Sequence, residues 1–240
     1  KRTGTTRVGL YSDVLTAETD DCAYLDGVAD RKRSFRSGPS YSPGRKYADT
    51  KEMLAVLKSD AELPARITAC RELAFAGTAE AIPVLAELLA DKKLSHSARI
   101  ALEAAPDPAA DAALRKALNS LQGAQLVGVI NSIGARRDAK AVPKLTQLLS
   151  APDKEVASAA AVALGRIGTP PAGKALETAL AGTRADTRPA VLEGSLNCAE
   201  ALAASGQKNQ ALRLFGQLNS ADMPVHVREA ALRGTLLASR

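Results

Sequence analysis

The chain has 240 residues, of which 46% are hydrophobic and 24% are charged, so it is long enough and apolar enough to bury a substantial core. No apolar run approaches the roughly 20 residues that a membrane-spanning helix requires, which argues against a transmembrane segment. The net charge of +6 comes from 32 basic and 26 acidic residues, a mild excess that does not favour nucleic-acid binding over an ordinary solvated surface.

Residues 1–48 differ in composition from the rest and are predicted to form an extended, irregular N-terminal arm. All four tyrosines lie in this segment, and its Gly, Pro and Ser residues interrupt any helical period. Because aromatic residues and arginine are enriched at protein interfaces, the arm is predicted to bind a partner. The alternatives are an arm that orders against the chain's own solenoid and a disordered tail. The candidate contact residues of the arm are Arg31, Arg33, Phe35, Tyr41 and Tyr47.

A helical period begins near Asp49 and continues, so residues 49–240 are predicted to form one elongated domain. Asp49 or Thr50 is expected to cap a first helix, which ends near Ser59. Only 3% of the residues are aromatic and none is Trp, while Ala and Leu dominate the apolar set. This composition suits helices that pack closely through small residues.

The helices after Ser59 repeat with a period of about thirty residues, most clearly in the second helix of each unit. Leu85, Leu114, Leu145 and Leu176 occupy the same place in four successive second helices. A helix pair of this size cannot bury its apolar stripe alone and must stack on its neighbours. The sequence therefore predicts an all-α solenoid of about five helix pairs.

Each predicted unit pairs a first helix with a second helix. The first helices are predicted at residues 63–75, 96–104, 124–133, 154–167 and 187–204. The second helices are predicted at residues 79–89, 108–118, 139–149, 172–180 and 210–218. A last helix at residues 225–237 has no second helix and is expected to cap the stack.

The clearest copy of the repeated phrase is DKEVASAAAVALGRIG at residues 153–168. This phrase resembles the HEAT repeat, and the Ala-Ile-Pro and Ala-Val-Pro openings at Ala81 and Ala141 support the resemblance. It covers roughly residues 60–240 and implies a right-handed HEAT-type α-solenoid, which the predicted non-helical N-terminal arm precedes. HEAT arrays serve as scaffolds, adaptors, transport receptors, lyase subunits and occasional DNA-repair enzymes, so the resemblance is specific for architecture and weak for function.

Residues 81–202 are also similar to small bacterial HEAT-repeat proteins that are commonly exported. This similarity implies a periplasmic or otherwise exported binding protein, and a cytoplasmic location is the alternative. It brings no catalytic motif to the chain.

Few side chains in the sequence are suited to catalysis or to metal binding. His96 and His226 are far apart, and each lies at the start of a predicted helix, where histidine is more often a surface or capping residue than a base. Cys22, Cys70 and Cys198 have neither metal-ligand spacing nor the number needed for a disulfide framework, and the last two are expected to be buried. The sequence therefore predicts no enzyme activity, no cofactor and no metal.

The strongest binding candidates within the repeats are the basic residues Arg136, Arg137, Lys140 and Lys144, at the corner of the third unit. Lys140 and Lys144 are one helical turn apart and share a face. In HEAT arrays the second helices usually line the concave surface. These residues would form a basic strip there, together with Arg115 and Lys116 one unit earlier and Lys174 one unit later. An ordinary charged surface is the alternative, because acidic residues lie on the same helices.

Three arginines recur near the starts of first helices, at Arg66, Arg99 and Arg228. The HEAT resemblance implies a structural role for them, in which each arginine ties neighbouring units together through an acid or a carbonyl.

These observations predict a non-catalytic protein–protein interaction or assembly subunit of a larger complex. It would bind another protein through its concave face and its N-terminal arm. One alternative is an enzyme or enzyme-accessory HEAT protein, either DNA-glycosylase-like or chromophore-lyase-like. The absence of Trp, and of Tyr beyond Tyr47, argues against the glycosylase. Another alternative is nucleic-acid binding through the basic strip, which steep salt dependence would reveal.

Overall fold

The computed structural model describes residues 49–76, 79–182 and 184–239. Twelve α-helices lie in this part of the chain, and no described residue is in a β-strand. No described helix is long and apolar enough to cross a membrane. The predicted arm lies outside the described residues, and so do its five candidate contact residues, Arg31, Arg33, Phe35, Tyr41 and Tyr47.

The helices alternate along the chain between two layers. The first-helix layer contains α2 (Leu63–Ala76), α4 (Ser95–Ala104), α6 (Gly123–Arg136), α8 (Lys154–Ile167), α10 (Arg188–Ala204) and α12 (Val225–Ala238). The second-helix layer contains α1 (Thr50–Lys58), α3 (Ile82–Glu87), α5 (Pro108–Ala117), α7 (Val142–Leu148), α9 (Pro170–Gly182) and α11 (Lys208–Leu218). Within the first-helix layer every helix packs against the one before it, so the prediction of an all-α HEAT-type solenoid is confirmed.

Aspartates set the starts of several helices. The carboxylates of Asp49, Asp107 and Asp153 each accept a hydrogen bond from a backbone N–H in the first turn of the following helix, at 2.8, 2.7 and 2.9 Å. These bonds satisfy donors that have no partner inside the helix. The predicted cap of the first helix is thus confirmed at Asp49, and Ser59 follows the last residue of α1.

The repeated leucines fill the space between the two layers. Leu85 is 2% exposed, and Leu114, Leu145 and Leu176 are fully buried. Leu164, in the segment closest to the HEAT phrase, is also fully buried. The apolar period in the sequence therefore marks the shared core of the stack, as predicted.

Several predicted helix bounds differ from the structure by one to three residues, and two of the differences have a local cause. Helix α6 continues to Arg136, three residues beyond its predicted end, because the chain leaves the helical conformation only at Arg137, whose φ is 54°. Helix α9 begins at Pro170, two residues earlier than predicted. Proline is favourable in the first turn of a helix, where its missing N–H is not needed.

Glycines allow the first helices to approach one another closely. A Cβ on Gly165 of α8 would lie 2.5 Å from the carbonyl oxygen of Gly194 in α10, and a Cβ on Gly194 would collide with the carbonyl of Ala161. Gly134 of α6 has the same role against Ala163 of α8, whose Cα would lie 2.9 Å from an added Cβ. The spacing of α6, α8 and α10 therefore depends on residues without side chains.

Candidate protein-binding face

Arginine side chains join successive units of the stack. Arg99 of α4 donates through Nη1 to the carbonyl oxygen of Gly128 and to Oγ of Ser132, both in α6 and both at 3.1 Å. Ser132 in turn donates to the carboxylate of Glu103 at 2.5 Å. Burial lowers the pKa of the Arg99 guanidinium, and the nearby Glu103 carboxylate opposes that effect. The predicted tie between neighbouring units is confirmed at Arg99.

The remaining two predicted ties differ from each other. Arg66 donates through Nη2 to the carbonyl of Leu57 at 3.2 Å and so joins α2 to the end of α1. For Arg228, the buried Nε has no hydrogen-bond partner within the described part of the chain. The structure therefore shows the tie at Arg66 and provides no acceptor for that Arg228 nitrogen.

Arg136, a predicted partner-binding residue, lies between two units. Its side chain is only 10% exposed, and its Nη1 donates to the carbonyls of Leu102, Glu103 and Ala105 at 2.9, 2.9 and 2.7 Å. Its Nε also pairs with the carboxylate of Asp111. Carbonyls at the end of a helix lack partners within the helix and favour a positive charge. The Nε and Nη1 donors of Arg136 are thus engaged inside the chain, and Nη1 binds the carbonyls at the end of α4.

The other predicted basic residues remain accessible. Arg137 and Lys140 are exposed in the turn between α6 and α7, and Lys144 is half-buried on α7. Asp138 lies among them and pairs with Arg115 of α5. The predicted basic strip is therefore interrupted by acidic groups, which leaves a smaller basic cluster at this corner.

Two grooves, which we call the α9 grooves, open between neighbouring second helices. The first has a volume of about 750 Å³ and separates α7 from α9, with Pro143 and Thr146 on the α7 side. The second has a volume of about 460 Å³ and separates α9 from α11. Pro171 and Lys174 of α9 line both grooves. None of Arg136, Arg137, Lys140 and Lys144 lines either one.

The groove between α9 and α11 combines apolar walls with charged side chains. Lys174 and Glu177 come from α9, and Arg213 comes from α11. None of these three makes a salt bridge to another described residue. The side-chain oxygen of Gln210, another lining residue, is buried without a hydrogen-bond partner among the described residues. A buried acceptor of this kind is favourable only when a donor reaches it, so the groove offers a place for one.

The predicted basic strip includes Lys174, but the α9 grooves themselves were not predicted. Pro171 and Lys174 are three residues apart on α9, a spacing that places them on one helix face, and both are exposed. This spacing and the place of Lys174 in the predicted basic strip are the signals that the sequence offers. The grooves themselves depend on the separation of helices from different units, which no local pattern encodes.

The two thiols in the described part of the chain, Cys70 and Cys198, are both buried. Burial raises the pKa of Cys70 to about 11, although Arg66 opposes the shift. Burial and then the Glu177 charge raise the pKa of Cys198 to about 12. Both groups are protonated at neutral pH and are therefore poor nucleophiles and metal ligands. No group of three His, Cys, Asp or Glu side chains placed to hold a metal occurs among the described residues.

Three solved structures of other proteins are similar to this chain, each with a TM-score below 0.5. An engineered protein is 22% identical, with a TM-score of 0.48 over 80% of this chain and 97% of that one. The complex of CpcE and CpcF of phycocyanin lyase from Nostoc sp. PCC7120 is 25% identical, with a TM-score of 0.41 over 79% of this chain and 81% of that one. An archaeal HEAT-like repeats protein from Thermococcus onnurineus NA1 is 14% identical, with a TM-score of 0.47 over 79% of this chain and 87% of that one.

Comparison with sequence families gives a match to the repeats themselves. The family model for HEAT repeats matches residues 112–197, which include the DKEVASAAAVALGRIG phrase at 153–168. A comparison with curated proteins finds no match. The matched segment contains α6 and α8 with the second helices that follow them, and the same two-layer arrangement extends on both sides. Residues 112–197 of the chain therefore carry HEAT repeats.

Proposed function

We propose that this chain is a non-catalytic interaction subunit, which binds another protein along its second-helix layer at the α9 grooves. The observation that carries the proposal is that Pro171 and Lys174 of one helix line two adjacent grooves. A ligand on this surface contacts α7, α9 and α11 together. Such a surface extends over three successive units, as expected for the side of a repeat array that binds an extended partner.

The groove chemistry indicates what kind of partner fits. Lys174 and Arg213 provide two cations beside the single anion of Glu177, so an acidic segment is favoured electrostatically. The proline walls provide apolar contact area, and the buried oxygen of Gln210 accepts a hydrogen bond from an N–H of the partner. We therefore propose an acidic protein segment with at least one apolar side chain as the ligand.

The proposal is tested by comparing two charge-reversal variants as affinity baits in extract from the native source. The groove variant carries Lys174→Glu and Arg213→Glu. The control carries Lys154→Glu and Arg166→Glu, two exposed cations on α8 in the first-helix layer, so both baits have the same net charge. We expect the groove variant to lose at least tenfold of the captured partner, because each reversed charge turns an attraction for the acidic segment into a repulsion. Equal capture by both variants would place the binding surface elsewhere.

The sequence also predicts two other contact regions, the corner between α6 and α7 and the N-terminal arm, and each can be tested separately from the α9 grooves. Neutralising Arg137, Lys140 and Lys144 tests the corner between α6 and α7, without disturbing the structural role of Arg136. Replacing Phe35, Tyr41 and Tyr47 by alanine tests the arm. A loss of capture in either variant, together with full capture by the groove variant, would move the proposed site to that region.

The proposal also covers two further properties of the chain, its lack of catalytic activity and its location in the cell. We propose that the chain supports binding without a reaction of its own, since its buried thiols are protonated at neutral pH. We also propose export, on the basis of the similarity over residues 81–202. Fractionation of the native cells, with detection of the chain in the periplasmic or secreted fraction, tests the second of these proposals.

A further inference from the structure

The outward face of α12 carries most of the exposed large apolar side chains of the described chain. Five such side chains are exposed among the described residues, and all except Phe75 lie on α12. Those on α12 are Val225 at 60%, Leu232 at 49%, Leu236 at 65% and Leu237 at 63%. The opposite face of the helix packs against α10 and α11. Clustering of this kind marks an interaction surface more often than a solvated one.

The spacing of the residues on this face indicates a helix as the occupant. Val225, Glu229, Leu232 and Leu236 follow one another at intervals of four, three and four residues. This is the a and d spacing by which two helices pack side by side in a coiled coil. Glu229 is the one charged member of the stripe, and a single polar residue at such a position fixes orientation and register.

The charges on α12 are self-complementary in one orientation only. Glu229 and Arg233 are both exposed, and neither forms a salt bridge to another described residue. In a parallel pair of α12 helices Glu229 would face its own copy and repel it. In an antiparallel pair centred near Ala231, Glu229 meets Arg233 of the second copy, and Val225 meets the Leu236 and Leu237 end.

We propose that the chain forms a homodimer in which the outward faces of two α12 helices pack antiparallel about a two-fold axis. Each copy contributes the apolar stripe and one half of two reciprocal Glu229–Arg233 pairs. A single helix pair buries less than the roughly 1,200 Å² of a standard stable interface, so the dimer is weak and dissociates on dilution. This proposal rests on α12 alone and is independent of the α9 grooves.

The test is sedimentation velocity of the full chain over a concentration series in the micromolar range. We expect a reversible monomer–dimer equilibrium, and Leu236→Glu should weaken the dimer at least tenfold. Glu229→Arg alone and Arg233→Glu alone should also weaken it at least tenfold, because each places like charges opposite one another. The double variant with Glu229→Arg and Arg233→Glu should restore the dimer dissociation constant of the parent to within about threefold.

The matched control is Phe75→Glu, which removes the exposed apolar side chain outside α12 and should leave the dimer unchanged. A parent that stays monomeric at every concentration overturns the proposal. If the parent is monomeric and Leu236→Glu lowers its melting temperature, another segment of the same chain covers the outward face of α12. If the melting temperature is unchanged, the face serves a different partner. Dimerisation without rescue by the double variant also overturns the antiparallel pairing.

Discussion

Gly165 of α8 and Gly194 of α10 lie in direct backbone contact: a Cβ on Gly165 would be 2.5 Å from the Gly194 carbonyl oxygen and 2.7 Å from its Cα. No rotamer change can relieve such a contact, since both atoms belong to the backbone. The two helices would have to move apart, and the core between them would lose packing. This contact joins the unit that carries the DKEVASAAAVALGRIG phrase to the unit that follows it.

We predict that Gly165→Ala destabilises the protein by about 2 kcal/mol or more, as expected for overpacking that displaces backbone. The matched control is Gly216→Ala in α11, where an added Cβ would meet nothing within 4 Å. The Gly216→Ala change should stabilise the protein by about 0.5–1 kcal/mol, because alanine restricts the unfolded chain and favours the helix. Thermal unfolding followed by circular dichroism measures both. A neutral Gly165→Ala would contradict the close contact of α8 and α10.

The neighbouring arginines Arg136 and Arg137 should respond oppositely to substitution. Arg136→Ala leaves the Asp111 carboxylate and three carbonyls without their donor and should cost about 3 kcal/mol. Arg137→Gly should stabilise by several tenths of a kcal/mol, since glycine adopts the left-handed conformation at φ 54° more easily. Urea unfolding curves of the two variants test this contrast. Similar effects from both changes would show that Arg136 is not the structural member of the pair.

The buried thiols should resist chemical modification while the protein is folded. At pH 8, the raised pKa values of Cys70 and Cys198 leave almost no thiolate to react. An alkylating reagent should therefore leave both unlabelled in the native protein and should modify both after denaturation. Mass spectrometry of the two peptides separates them from Cys22. Rapid native labelling of either peptide would contradict its burial.

The same thiols should weaken the fold at high pH. Their pKa values lie above the ordinary value of 9.0, so the folded state holds these protons more tightly than the unfolded state. Their contribution is fully present below pH 9 and is lost as the pH rises toward 11 and 12. The free energy of unfolding of a variant with Cys70→Ala and Cys198→Ala should fall less over this interval than that of the parent. Parallel pH profiles of the two proteins would contradict the shifts.

Much of the fold can be predicted from the sequence, because the core of a repeat array follows a local period. The leucines at 85, 114, 145 and 176 mark the shared core through their spacing alone, and all four are buried. The capping Asp49 and the terminal helix at residues 225–237 are predictable for similarly local reasons. The close helix contacts at glycine are not predictable, although Gly134 and Gly165 occur in the repeated phrases. Their contacts lie between units, where the sequence carries no distance information.

The candidate site is much less predictable. Arg136 and Arg137 look equivalent in the sequence, yet one reaches the end of α4 and the other faces solvent. The difference arises because α6 ends between them, which depends on one backbone angle at Arg137. The α9 grooves are not predictable from the sequence. Pro171 and Lys174 of α9 line a groove only because α7 and α11 lie on either side of that helix.

Binding of a protein partner at the α9 grooves can be detected inside the native cell by photo-crosslinking. A photoreactive amino acid replaces Thr178, an exposed residue that lines the groove between α7 and α9, or replaces Arg166 on α8 as the control. We predict one discrete protein adduct from position 178 and none from position 166, and the adduct should disappear when Lys174→Glu and Arg213→Glu are added. Equal adducts from both positions, or an adduct from position 166 alone, would contradict binding at these grooves.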